Sequence, residues 1–441
     1  MDTNVQSNKM NEHKFAPSLM QDSPAQTAST GNTPADIIMP NTLSQDDIDT
    51  EQNGERTRWS QWYVALKNVL PVYIATHLAF FVITCLSVLF VLKDFSWQAL
   101  PTYTLWHWWD RWDSGLFTTV ARYGYTNYSR MAFFPLYPLL ERALMYITRG
   151  DPFIAGLVIS DLAGLGIFVV LYRLVKDDFS AELAERTVLY LAIFPTAFYL
   201  ASGYNESLFI FLSLMSFYQL RRGHWWLAGI FGLLASLTRS AGLLMLIPFC
   251  YEYVRQHSFS LKAIRWNILW GVLIPAGLAL FGVWCLIQYH DFLAFSHAQA
   301  DWNRSLAFPG YGIVASIQAI QKSQGLLSFQ ALRNLTDLVP DLLILLCILL
   351  SFVGPWGFPR QLWAYGIYAG ILYIFVQLFP NGGTGLFPLE SVGRFMLEIF
   401  PAFIVLAAVG KYKTFHMSYL MVSAAVLFFL LTQFLTGHWV L

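Results

Sequence analysis

The fold class this sequence predicts is an all-helical integral membrane protein, and three observations predict it. Of 441 residues, 56% are hydrophobic and 12% charged, with a mean hydropathy of +0.48, a balance far from that of soluble globular domains. Apolar runs near the length that crosses a bilayer recur along the chain. These runs lack period-two alternation, and an open sheet edge in lipid leaves backbone groups unpaired, so strands are not expected.

Taken in order, residues 1–58 are rich in Gln, Asn, Ser, Thr, Pro and Asp and almost without aromatics. Such a stretch buries too little apolar surface to offset its ordering entropy, so a flexible cytoplasmic tail is expected ahead of a membrane domain over 59–441. No hydrophobic core precedes position 69, so the first span is expected to anchor the chain itself. The clearest spans are 69–92, 153–174, 267–289, 338–357, 361–379, 394–410 and 417–437; shorter ones lie at 187–202, 206–220, 225–238 and 240–254. Cys85, Cys250, Cys285 and Cys347 all fall in apolar runs without zinc-ligand spacing and read as small buried hydrophobes.

Cations set the orientation, because Lys and Arg accumulate on the cytoplasmic side. Placing Arg56, Arg58, Lys67, Arg173, Lys176, Arg186, Arg221, Arg222, Arg255, Lys262, Arg265, Arg360, Lys411 and Lys413 there gives an alternating path. That path has about eleven spans. It requires 132–148, with the acid-base pair Glu141 and Arg142, to lie along the outer surface or dip in and return. The outward segments are then a large first loop at 94–152, 201–207, 238–242, a second large loop at 290–337, and 381–394. Ionisable groups near a membrane are costly and usually functional, so their gathering on one side points to a site.

The densest outward stretch is "WHWWDRWDSGLF" at 106–117. Asp110 and Asp113 are three apart and share a face if the segment is helical. Two close acids among indoles disfavour double ionisation and raise one pKa toward that of a general base. From spacing alone, the cluster reads equally well as an interfacial tryptophan belt with solvated acids. Glu206 either binds sugar hydroxyls or favours the positive end of the following helix. Asp161, inside the span 153–174, reads as a helix-to-helix hydrogen-bonding group. His107 and His297 have no partner spacing for a metal, so no cofactor or divalent metal is expected. The triplets beginning at Asn127, Asn303 and Asn334 fit glycosylation acceptors in outer loops.

The continuation "RWDSGLFTTVARYGYTNYSRMAFFPLYPLL" resembles the first outer loop of the mannosyltransferase family that includes the eukaryotic enzyme adding the second mannose to the GPI anchor, often called PIG-V, and its prokaryotic relatives. The matching positions are Trp112, Asp113, Phe117, Gly124, Tyr125, Ala132, Phe133, Phe134, Pro135 and Pro138. A second signature is carried by Pro195, Tyr204, Glu206, Ser207, Leu208 and Phe209, and a third by Arg239 and Gly242. Gln299, Trp302 and Arg304 resemble the bacterial branch. The chain departs from the eukaryotic pattern after Tyr125, where Thr126, Asn127 and Tyr128 stand in place of an acid, which leaves the acceptor open.

The resemblance implies a GT-C-type glycosyltransferase, a polytopic helical bundle that moves mannose or a similar hexose. The implied donor is a polyprenyl-phosphate sugar and the acceptor a lipid or glycolipid. Nucleic acid is not an expected partner. The expected membrane is the plasma membrane in a prokaryote and the endoplasmic reticulum in a eukaryote. Asp113 is expected as general base with Asp110 in reserve; Trp112, Tyr125, Tyr204, Asn205, Glu206, Gln299 and Trp302 as substrate contacts; and Arg239, Arg304 and Arg394 as rivals for the donor phosphate. The competing reading is a transporter or flippase of lipid-linked sugars, which needs a similar polar groove but is expected to show repeated halves, and none is seen.

Overall fold

The computed structural model describes residues 54–91, 102–383 and 385–438. Among them every regular element is helical, and the one isolated bridge joins Arg304 to Asn381. Numbering the longer helices in chain order, α1 is Gly54–Val91, α2 Asp113–Tyr123, α3 Leu136–Leu144, α4 Pro152–Asp178 and α5 Ala181–Ala192. Then come α6 Asn205–Arg221, α7 Trp225–Thr238, α8 Leu246–Gln256, α9 Leu273–Tyr289, α10 Tyr311–Gln321 and α11 Phe329–Leu350. The chain closes with α12 Trp363–Gln377, α13 Phe400–Val409 and α14 Lys413–Leu435.

The expected tail falls mostly outside the described residues; 54–58 are helical and form the start of α1, which moves that boundary. Among the described residues four stretches are long and apolar enough to cross a membrane: Ser60–Leu89, Pro152–Asp178, Trp266–Tyr289 and Lys413–Leu435. A bent pair, Val392–Glu398 and Phe400–Val409, makes a fifth if its 85° break lies within one span. The predicted span 338–357 overlaps the 22-residue α11, and the rest are shorter helices, such as α6 with 17 residues and α12 with 15. Polar and proline-containing turns cut them: the run at 187–202 stops as a helix at Ala192 and turns through Phe194–Thr196.

α4 is the central member, with 61% of its apolar stretch buried against 28% for α1. Its start is capped by Asp151, which accepts from the Phe153 and Ile154 amides with Pro152 in the first turn. Asp161 on α4 meets His77 on α1 at 3.3 Å, the helix-to-helix role expected of it. The helix within 132–148 is only nine residues, about 14 Å, too short to cross a bilayer by itself. Tyr137 donates to the Gly156 carbonyl of α4 at 2.9 Å. The expected surface pairing of Glu141 with Arg142 is absent: Glu141 is fully buried against Gly156 and forms no ion pair with a described residue. Burial and the nearby Asp110 carboxylate hold Glu141 well above the ordinary carboxylate range.

The expectation for cysteine needs one correction: Cys285 and Cys347 are buried, Cys85 is half-buried, and Cys250 is exposed on the outward face of α8. Asn334 is likewise buried in α11, where it bonds the Leu386 carbonyl, and not in a loop.

Several of the cations expected on one side meet at one end of the bundle. Arg221 pairs with Asp178 and Glu252, Arg255 with Glu252, and Arg173 and Arg222 both with Asp177. α6 then runs its 17 residues, about 25 Å, from Arg221 at this end back to Glu206 at the other.

Candidate active site

Asp113 owes its position to an anchored turn. Trp109 is buried, and its indole donates to Thr84 of α1 at 3.1 Å. Arg111 donates to the Leu435 carbonyl of α14 at 2.9 Å. Between that anchor and α2, Trp112 takes φ 53°, a conformation unfavourable for a residue with a side chain and common at functional turns. Asp113 follows as the first residue of α2, where the helix end favours a carboxylate.

The same turn separates the two acids. Three-residue spacing gives a shared face only within one helix, and Asp110 lies before the turn. Its Oδ1 accepts from Ser114 at 2.9 Å, and it faces a cleft with His107, Arg122 and Asp151 on the opposite side of α2. Asp113 faces a different cavity, so the expected acid pair is not formed.

That cavity, of about 320 Å³, gathers Asp113, Phe117, Phe133, Asn205, Arg239, Gln299, Trp302, Arg304, Glu390 and Arg394 from distant parts of the chain. The three arginines expected as rivals converge: their guanidinium carbons lie 4.7 Å (Arg239), 5.3 Å (Arg304) and 5.1 Å (Arg394) from the ring centre of Phe395. Arg394 Nη1 is 2.7 Å from Asp113 Oδ2, and its Nε is 3.5 Å from Glu206 Oε1. Arg239 meets Glu206 at 3.0 Å and Glu398 at 3.2 Å, and donates to Asn205 Oδ1 at 3.0 Å. Gly242 permits the turn that carries Arg239, since a Cβ there would stand 2.3 Å from the Ser236 amide nitrogen.

Arg304 is held differently. Its Nη1 and Nη2 donate to the carbonyls of Phe379 at 3.0 Å and Glu390 at 3.2 Å, and it forms no ion pair with a described residue. Burial, with the like charge of Arg394 second, pushes it down to about 10. It is the arginine of the three whose charge is least compensated.

Other expected contacts lie elsewhere. Glu206 is buried in the first turn of α6, the positive helix end expected of it, and also pairs with Arg239 and Arg394. Tyr204 donates to the Arg111 carbonyl at 2.9 Å and supports Arg394 with its ring face. Tyr125 donates to the Phe133 carbonyl at 2.7 Å and lines an apolar groove with Phe281 and Trp284. Trp112 is 38% exposed and off the cavity wall. Sequence reasoning missed Glu390, Asn381, Phe395 and Glu398; the signal present was the acid inside 381–394, a segment expected to face outward. Three non-glycine residues with positive φ, Trp112, Asn303 and Ser391, directly neighbour Asp113, Arg304 and Glu390. Among the described residues no group of three His, Cys, Asp or Glu side chains is placed to hold a metal ion.

Residues 93–362 match the sequence model of the family described as mannosyltransferase (PIG-V). The chain belongs to that family. The match includes Asp113, Glu206, Arg239 and Arg304, while Glu390 and Arg394 of this PIG-V family member lie beyond it. The mouse GPI alpha-1,6-mannosyltransferase 2 is 30% identical over 199 residues, 42% of this chain and 40% of the mouse protein. GPI mannosyltransferase 2 of Schizosaccharomyces pombe is 27% identical over 256 residues, 55% and 53% of the two chains. The chain thus spans about half the length of the curated relatives it matches. Among solved structures, ArnT from Cupriavidus metallidurans bound to undecaprenyl phosphate is 14% identical, with a TM-score of 0.48 over 80% of this chain and 63% of that one.

Proposed function

We propose that this PIG-V family member is a membrane mannosyltransferase of GT-C type, moving mannose from a polyprenyl-phosphate donor to a lipid-linked or glycolipid acceptor with inversion. The observation that carries this reading is the single cavity shared by Asp113 and three arginines. Asp113 takes the proton of the acceptor hydroxyl as its oxygen attacks the anomeric carbon. The leaving group is a phosphate diester becoming a monoester, already a weak base, so it needs charge stabilisation more than a proton. Arg304 supplies that charge, because Arg239 and Arg394 are already engaged by carboxylates. Separating the phosphate at Arg304 from Asp113 suits an inverting displacement, in which nucleophile and leaving group occupy opposite faces of the sugar carbon.

The reaction takes place on the extracytoplasmic side, with the ion-pair network of Arg173, Arg221, Arg222 and Arg255 on the cytoplasmic side. The full topology has about eleven crossings, the helices below span length included. Purified protein in detergent, given a polyprenyl-phosphate mannose and a panel of glycolipid acceptors, tests the proposal. Mannose transfer to at least one acceptor, lost in Asp113→Asn, is the expected result; transfer undiminished in that variant would overturn the assigned base.

A further inference from the structure

The wall of the cavity beside Arg304 contains a carboxylate that the proposed reaction does not yet use. Glu390 lines the cavity, and its Oε2 accepts from Asn381 Nδ2. Unlike Asp113, Glu206 and Glu398, it forms no ion pair with a described residue. Its main chain is fixed independently: the Glu390 carbonyl accepts from Arg304, its amide donates to the Phe387 carbonyl at 3.1 Å, and Ser391 after it takes φ 70°. Asn381, which steadies the carboxylate, is bridged to Arg304, and its own side-chain oxygen accepts from Gly383 at 2.9 Å. A carboxylate so restrained, without a cation, has lone pairs to offer a ligand. On the same cavity wall, Trp302 carries a buried indole N–H with no partner among the described residues, a donor awaiting an acceptor.

We infer that Glu390, steadied by Asn381, is the residue that binds the hydroxyl groups of the donor's hexose and so selects a sugar-loaded lipid over the bare lipid phosphate. This rests on the transferase reading above. A phosphate at Arg304 lies against the residue whose carbonyl holds that arginine, so a hexose joined to the phosphate is brought to the Glu390 side chain. Hydroxyl groups donate to a carboxylate, and hydrogen bonds to charged groups are the stronger kind. Asp113, clamped by Arg394, stays free of this task and available to the acceptor.

The test measures binding of two lipids, a polyprenyl phosphate and the same lipid carrying mannose, to detergent-purified wild type, Glu390→Gln and Asn381→Ala. Wild type is expected to favour the sugar-loaded lipid. Glu390→Gln keeps its affinity for the bare phosphate and loses about tenfold or more for the loaded one. Asn381→Ala, which leaves the carboxylate in place but unsteadied, shows the same selective loss to a smaller extent. Equal weakening toward both lipids in Glu390→Gln, or no change toward either, overturns the inference and leaves the transferase reading intact. A wild-type protein that binds neither lipid overturns the transferase reading, and this inference with it.

Discussion

Arg394 holds Asp113 at 2.7 Å while its Nε reaches back 3.5 Å to Glu206, so one guanidinium ties the start of α2 to the start of α6. Asp113 and Arg394 lie far apart in sequence, yet the carboxylate's orientation depends on that arginine. The ion pair keeps the oxygens of Asp113 directed at the cavity in place of solvent.

Removing the charge of Asp113 while keeping its shape is expected to lower turnover by about 10²- to 10⁴-fold, the usual contribution of a positioned base. Asp110→Asn, on the far side of α2, is expected to retain turnover within a few-fold. Initial rates of mannose transfer, with thermal unfolding as a folding control, check both. Abolished activity in the second variant alone would reverse the two assignments.

Arg304 offers the lipid phosphate a guanidinium that no carboxylate of the described residues pairs with. Arg304→Gln is expected to weaken binding of a polyprenyl phosphate about tenfold or more, and Arg304→Lys, which keeps the charge but not the fork of donors, should recover part of it. Affinities of the detergent-purified variants for that lipid check this, and an unchanged affinity in Arg304→Gln would reassign the phosphate.

Glu206 is buried between Arg239 and Arg394. Truncation to Ala strips both arginines of a shared partner in a buried setting, a change expected to cost about 3–5 kcal/mol. A lowered unfolding temperature accompanied by lost activity is the expected result. Gln at 206, which keeps the volume, should recover part of the stability.

Glu141 makes stability depend on pH. Its carboxyl is held well above the ordinary range in the folded protein, so the folded state binds a proton that the unfolded chain releases. Glu141's contribution to stability is accordingly greatest at acid pH and falls as pH rises through the ordinary carboxylate range toward the folded value, by at most about 1.4 kcal/mol per pH unit for one proton. Unfolding temperatures from pH 5 to 8 should show this slope in the wild type and a flatter line in Glu141→Gln, which is expected to be the more stable at pH 8.

The membrane class, the helical content, the grouping of cations and the candidacy of Asp113, Arg239, Arg304 and Arg394 were legible in the chain. Apolar run length and the placement of costly charges are one-dimensional properties, and they survive folding unchanged. The site's division of labour was not legible. Spacing put Asp110 beside Asp113, but a positive φ at Trp112 turned them to opposite sides of α2. Glu390 looked like any acid in an outer loop until Asn381 and Arg304 met it in space.

What the sequence determined by itself is that this protein is an integral membrane protein whose ionisable groups collect at the ends of its apolar runs, because hydrocarbon excludes charge whatever the fold. Tertiary structure alone decided which arginine stays uncompensated: Glu206 and Glu398 reach Arg239, Asp113 reaches Arg394, and Arg304 is held by backbone carbonyls and the Phe395 ring with no ion pair among the described residues. Charge pairing acts over a few ångströms through space, and separation along the chain carries no record of it.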